Sequence, residues 1–197
     1  MNNEEKIYQR IGEFVVSVQW IENLLREIGR FILNPDRTGW PPTGPLNLTN
    51  EKLIDSVHRL FVEALPKCRL GPELEAEYKA SFESCVKTLH KLRRDRTRIL
   101  NSAFFELKAG GDVQGIMRST LADEVDAETG ERLFDQELLT PESFSKEMDE
   151  IANAALVLNR AYLQLIHRYP GSNVETVVQA DNHVAPRLNS IVDPTEG

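Results

Sequence analysis

The sequence predicts an all-α fold: an antiparallel four-helix bundle with long helices 1 and 3 and a β-hairpin-like insertion before the last helix. Three observations predict it. Four segments carry apolar residues at alternating steps of four and three, the signature of one buried stripe per helix. Proline or glycine separates those segments. Residues 112–139, between the third and fourth of them, lose the helical period. Four helices with one apolar stripe each can bury them by facing one another.

Helix 1 carries Ile7, Ile11, Phe14, Val18, Ile21, Leu25, Ile28 and Ile32 in strict 4-3 order. Asn34-Pro35 ends it, because proline disfavours the α region in the residue before it. Residues 34–48 read as a loop rich in proline and glycine, with Trp40 expected to pack on the bundle. Helix 2 is expected to begin at Thr49 as N-cap, with Leu48 and Leu53 stapled across it. Its apolar set is Leu53, Ile54, Val57, Leu60, Phe61, Ala64 and Leu65, and Pro66 closes it.

Helix 3 is expected from Pro72, suited to a first helical position, to about Ala109. Its stripe runs Tyr78, Phe82, Cys85, Leu89, Leu92, Arg96, Ile99 and Ala103, and Gly110-Gly111 reads as the stop. Helices 1 and 3 would thus be about 27 and 38 residues, or roughly 40 and 57 Å. Helices that project this far tend to dimerise. In residues 112–139, Thr129-Gly130 reads as a hairpin turn with glycine at positive φ. Helix 4 is expected to start at the Thr140 cap with Pro141 first. It carries Phe144, Met148, Ile151, Ala155, Leu158, Tyr162 and Leu165, and ends at Tyr169-Pro170-Gly171. Residues 1–170 therefore form the bundle, with 112–139 as its insertion, and 171–197 an extended C-terminal tail.

Composition narrows the class. Over 197 residues, 41% are hydrophobic and 27% charged, as in an ordinary globular domain. No apolar run reaches the ~18–20 residues of a membrane span, and the acidic N-terminus lacks a signal-peptide core. A reducing, cytoplasmic setting is the expectation. Two cysteines, Cys68 and Cys85, make neither a disulfide scaffold nor a four-ligand zinc site. Cys85, on an apolar stripe, reads as a core residue. The histidines His58, His90, His167 and His183 fall on different elements, so no metal site and no cofactor is expected. No phosphate-binding glycine loop or serine elbow occurs.

The informative stretch lies on helix 3. Lys87, Lys91, Arg93, Arg94, Arg96 and Arg98 stand against one acid, Asp95, in a chain of net charge −8. Lys87, Lys91, Arg94 and Arg98 share one helical face, suited to a phosphate backbone or to pairing with acids of neighbouring helices. Arg96 occupies a stripe position between Leu92 and Ile99. A buried arginine needs a partner, and Glu22, beside the stripe of helix 1, is the expected one. That pair can be structural, or it can orient an arginine toward a phosphate.

The segment Asp95-Arg96-Thr97-Arg98-Ile99-Leu100-Asn101-Ser102-Ala103-Phe104 resembles the Glu-Arg-Asn-x-x-x-His-Ser-x-aromatic run of the HEPN superfamily, carried on the third long helix of its bundles. Arg96 matches the family arginine, Thr97 stands where asparagine is frequent, and Asn101 stands where the catalytic histidine is expected. The resemblance implies a homodimer that brings two such motifs together. In active members it implies metal-independent RNA cleavage, with Arg96 on the phosphate, Asn101 at the proton-transfer position, and Glu22, Thr97 and Ser102 in support. An amide has no usable pKa near neutrality, so Asn101 cannot move that proton. His90 lies about three turns, or ~16 Å, up the helix. The resemblance therefore points to a catalytically degenerate module of a bacterial defence or toxin–antitoxin system, binding RNA or a nucleotidyltransferase-type partner. Two alternatives stay open. One is an endoribonuclease using Arg96 with Asn101, or with Tyr78 or Ser102 in compensating roles. The other is a purely structural or interaction bundle.

Overall fold

A computed structural model describes residues 3–37, 49–110, 112–125, 130 and 132–172. It contains the four helices: α1 (Asn3–Leu33), α2 (Asn50–Ala64), α3 (Pro72–Leu100) and α4 (Ser145–Arg168). It also contains a three-stranded antiparallel sheet of β1 (Ala103–Ala109), β2 (Asp112–Val125) and β3 (Arg132–Leu139), in the order β1-β2-β3. The protein is therefore α+β, and the all-α expectation is corrected.

The helices form where the stripes place them. Ile7, Phe14, Val18, Ile21, Leu25 and Ile28 of α1 are buried against Leu53, Val57 and Phe61 of α2 and Leu158 and Leu165 of α4 in one core. Phe61 stacks on Phe82 of α3, with ring centroids 4.2 Å apart. Thr49 precedes α2 in extended conformation, but its hydroxyl makes no capping bond. Instead of stopping at Pro66, the chain tightens into a 3-10 turn over Leu65–Cys68 and leaves it through Arg69 in the left-handed region. The expectations for Trp40 and Leu48 fall outside the described residues, as do those for residues 173–197.

The correction begins at the end of α3. The helix stops at Leu100, not near Ala109. Asn101 leaves the helical region while its N–H still bonds the Thr97 carbonyl at 3.1 Å. The next residues contain the strand-favouring aromatics Phe104 and Phe105, and Phe105-Glu106-Leu107-Lys108-Ala109 alternate. Ala103 fits the helical spacing equally well, which is why the stripe runs past the true end. Gly110-Gly111 is not a helix stop. Gly110 follows Ala109, whose partner across the β1–β2 ladder is Asp112, and has the positive φ, 65°, that tight hairpin turns favour, while Gly111 lies outside the described residues. Gly130, between β2 and β3, has φ 72°.

Helix α4 also begins later than its sequence signals indicate. Thr140 and Pro141 open a turn, closed by the Thr140 N–H donating to Ser143 Oγ at 2.8 Å, and the helix starts at Ser145. Phe144 is buried there and stacks on Phe14 of α1 at 5.7 Å. The inner face of the sheet seals this end of the bundle. Ile116 and Leu139, a cross-strand pair, are fully buried in the core, and Phe104 packs beside them.

Candidate functional site

Arg96 projects from α3 toward α1. Its stripe position, between the buried Leu92 and Ile99, gives it no other direction. Nη1 donates to Glu22 Oε1 at 3.1 Å and Nη2 donates to Gln19 Oε1 at 3.2 Å. The Arg96 side chain is 19% exposed and that of Glu22 only 5%. Burial pushes the Glu22 carboxyl up, while Arg96, Arg26 and a bond from Gln19 pull it back. The structure thus joins the two residues that the sequence pairs. It adds Gln19, which lies one turn before Glu22 on α1 and interrupts an apolar run. That interruption was the available signal. Arg96 Nε is buried without a hydrogen-bond partner among the described residues.

The other motif residues are placed at the helix end. Asn101 is exposed and serves as the C-cap of α3. The Thr97 hydroxyl folds back onto the Arg93 carbonyl at 3.0 Å. Ser102 Oγ donates to the Arg98 carbonyl at 2.6 Å and lies 2.7 Å from Thr120 Oγ1 of β2, so Ser102 joins helix to sheet. The Tyr78 hydroxyl donates to Gln164 Oε1 of α4 at 3.3 Å. Eighteen residues separate it from Arg96, about 27 Å along the helix, so it cannot assist there.

The cations of α3 are shared out among neighbouring elements. Lys91 Nζ bonds Glu150 Oε2 of α4 at 2.5 Å and lies 3.8 Å from Asp95. The bond from Glu150 holds the Lys91 ammonium above its ordinary range. Arg93 pairs with Glu51 of α2 at 3.3 Å, and Arg98 with Asp135 of β3 at 3.5 Å. Carboxylates from α1, α2, α4 and β3 therefore meet four of the six cations, and those at Lys87 and Arg94 stay exposed. Next to this helix lies a cavity of about 110 Å³ lined by Asp95, Arg98, Arg118, Glu137, Glu147 and Phe144. Its two arginines face three acids, and Arg118 already pairs with Glu137 at 2.5 Å. Burial, first of all, raises the Asp95 carboxyl, and Lys91 counters it.

His58 stacks on Phe82 with centroids 6.0 Å apart, and His90 Nε2 bonds Asp55 at 3.0 Å. His58 Nε2 is buried without a hydrogen-bond partner among the described residues, and His183 lies outside them. Among the described residues no cluster of His, Cys, Asp or Glu is arranged to hold a metal ion, and no helix is long and apolar enough to cross a membrane. No family model matches the chain, and no curated protein or solved structure matches it either.

Proposed function

We propose that this chain is an interaction module of HEPN-like type, which acts by binding another protein surface and not by cutting RNA. The observation that carries this reading is the neutralisation of α3. A phosphate backbone is held by cations free to displace its counterions. Here Lys91, Arg93, Arg96 and Arg98 are each engaged by a carboxylate of a neighbouring element. The Arg96–Glu22 pair then acts as a seam between α1 and α3, and Asn101 as a helix cap without proton-transfer chemistry.

A second reading, a degenerate RNA-binding site, is favoured by Arg96 Nε, which has no hydrogen-bond partner among the described residues, and by the exposed Lys87 and Arg94. One experiment separates the two. Labelled bulk tRNA is mixed in chelator with the natural chain, Arg96→Ala and Asn101→His, and both cleavage and salt-dependent binding are read. The interaction-module reading expects neither from the natural chain. Cleavage that Arg96→Ala abolishes, or binding with a steep salt slope that Arg94→Ala reduces, overturns it.

A further inference from the structure

We infer that the outer face of the sheet is a homodimer interface, closed by the same face of a second copy. The inference deepens the interaction-module reading by naming the first partner.

The register sorts the strand residues onto two faces, because residues paired across an antiparallel ladder point the same way and successive residues alternate. Phe105 pairs with Met117 and Met117 with Leu138, so one row of three crosses all the strands. Ala103, Ser119 and Gln136 form the next row, and Leu121 with Phe134 the one beyond. Leu107 and Gly115 complete the face on the other side. The bundle covers the opposite face, where Ile116 and Leu139 are buried.

The outward face is the apolar one, the reverse of the usual pattern for a sheet resting on a core. Phe134 is 64% exposed, Leu138 57%, Phe105 53% and Leu121 46%. None of its ten residues is charged, although 27% of the chain is. The charges Glu106, Arg118, Asp135 and Glu137 alternate onto the other face, and Arg132, two residues before Phe134, stands at the edge of this one. Gly115 belongs to the same design: a Cβ there would come within 2.9 Å of Leu138 Cδ1, so glycine lets Leu138 lie flat across the central strand.

Two features commit this face to a second copy. First, the chain carries net charge −8, so two copies repel unless their contact surface is free of like charges. The ten residues of these rows carry no charge, and stacked on itself the face sets apolar rows against apolar rows in the two-fold arrangement most common among soluble oligomers. Second, the area suffices. With about 200 Å² for a whole aromatic side chain, the exposed residues offer on the order of 500 Å² per protomer. A pair that covered them fully would bury about 1,000 Å², the least that a biological interface needs. Two twisted sheets packed ~10 Å apart would interdigitate Phe105, Phe134 and Leu138.

The test is sedimentation velocity on the full chain. The expected species has twice the 22.4 kDa mass of the chain, with a dissociation constant unchanged or tightened by added salt. Phe134→Lys and Leu138→Glu, each at an exposed position, should weaken it at least tenfold while the far-UV spectrum and melting temperature hold. Leu156→Glu, exposed on α4, should leave the dimer intact. A monomer at every concentration overturns the inference, as does a dimer that ignores both sheet variants. So does a full-length monomer that dimerises only when the chain ends at Ser172, which would give the face to the residues beyond. Those outcomes leave the tRNA assay unaffected, so loss of the dimer and loss of the interaction-module reading register separately.

Discussion

Arg96 of α3 and Glu22 of α1 form a hydrogen-bonded ion pair, 3.1 Å between Nη1 and Oε1, in which the carboxylate is almost wholly buried. Removing one member of such a pair strands the other. Glu22→Ala is expected to lower stability by about 3 kcal/mol, the lower end for buried pairs because Arg96 keeps some contact with water. Arg96→Met, which removes the charge and keeps the stem, should cost less when paired with Glu22→Gln than Glu22→Ala costs alone. Urea unfolding measures both. A Glu22→Ala change within about 0.5 kcal/mol of the natural chain would show that the pair does not hold α1 to α3.

Asp95 supplies a pH dependence. Its folded pKa lies above the ordinary 3.8, chiefly because of burial, and Oδ2 has no hydrogen-bond partner among the described residues. A raised acid pKa means the folded state holds the proton more tightly than the unfolded chain. The carboxylate is then a drag on stability above its folded pKa, and the drag is relieved as pH falls through that value toward 3.8. Asp95→Asn is expected to stabilise at neutral pH by about 1 kcal/mol. The gain should shrink on acidification and vanish below the unfolded value. Thermal melts across the acid range check this. Loss of stability at neutral pH would mean that the Lys91 attraction outweighs burial.

The helices were legible because the 4-3 spacing of Ile7 to Ile32, and of Phe82 to Ile99, has a single geometric solution. Arg96 and Glu22 were legible for the same reason: each breaks or borders a stripe, and a buried charge needs its opposite. The sheet was not, because residues 103–109 satisfy two periods at once. Ala103 continues the helical stripe, while Phe105 to Ala109 alternate as a strand. The decision rests on the pairing of Phe105 with Met117 and of Ala103 with Ser119, twelve and sixteen residues away in the chain, which no local pattern contains. The basic run of α3 shows a related limit. Spacing put Lys87, Lys91, Arg94 and Arg98 on one face, but the acids that neutralise Lys91 and Arg98 come from α4 and β3. Glycines show a third limit: Gly110-Gly111 has the same composition whether it ends a helix or turns a hairpin.

Ser102 distinguishes a structural from a catalytic assignment. Its hydroxyl hydrogen goes to the Arg98 carbonyl, so the buried Thr120 hydroxyl donates to Ser102 Oγ across the 2.7 Å contact. Ser102→Ala leaves Thr120 without that acceptor and should destabilise by about 1–2 kcal/mol. Adding Thr120→Val removes the orphaned donor and should restore much of the loss, a coupling that a double-mutant cycle reads directly. Additive effects would detach Ser102 from the helix–sheet joint.

Cys85 tests the core under α3. It is buried at the α3–α4 contact, with Sγ 3.8 Å from the Ala154 carbonyl, and burial pushes its thiol up to about 12. The thiolate is the reactive species, so at pH 8 its fraction falls roughly 10³-fold below that of a free cysteine near 8.5. Alkylation should therefore be negligible in native buffer and should rise along the unfolding transition as denaturant is added. Cys68, also buried with its thiol raised, should follow the same curve. Labelling of Cys85 at the free-thiol rate without denaturant would mean that α4 separates from α3 in the native protein. The groove they share would then be open in solution, and the neutralisation of Lys91 by Glu150 would fail along with it.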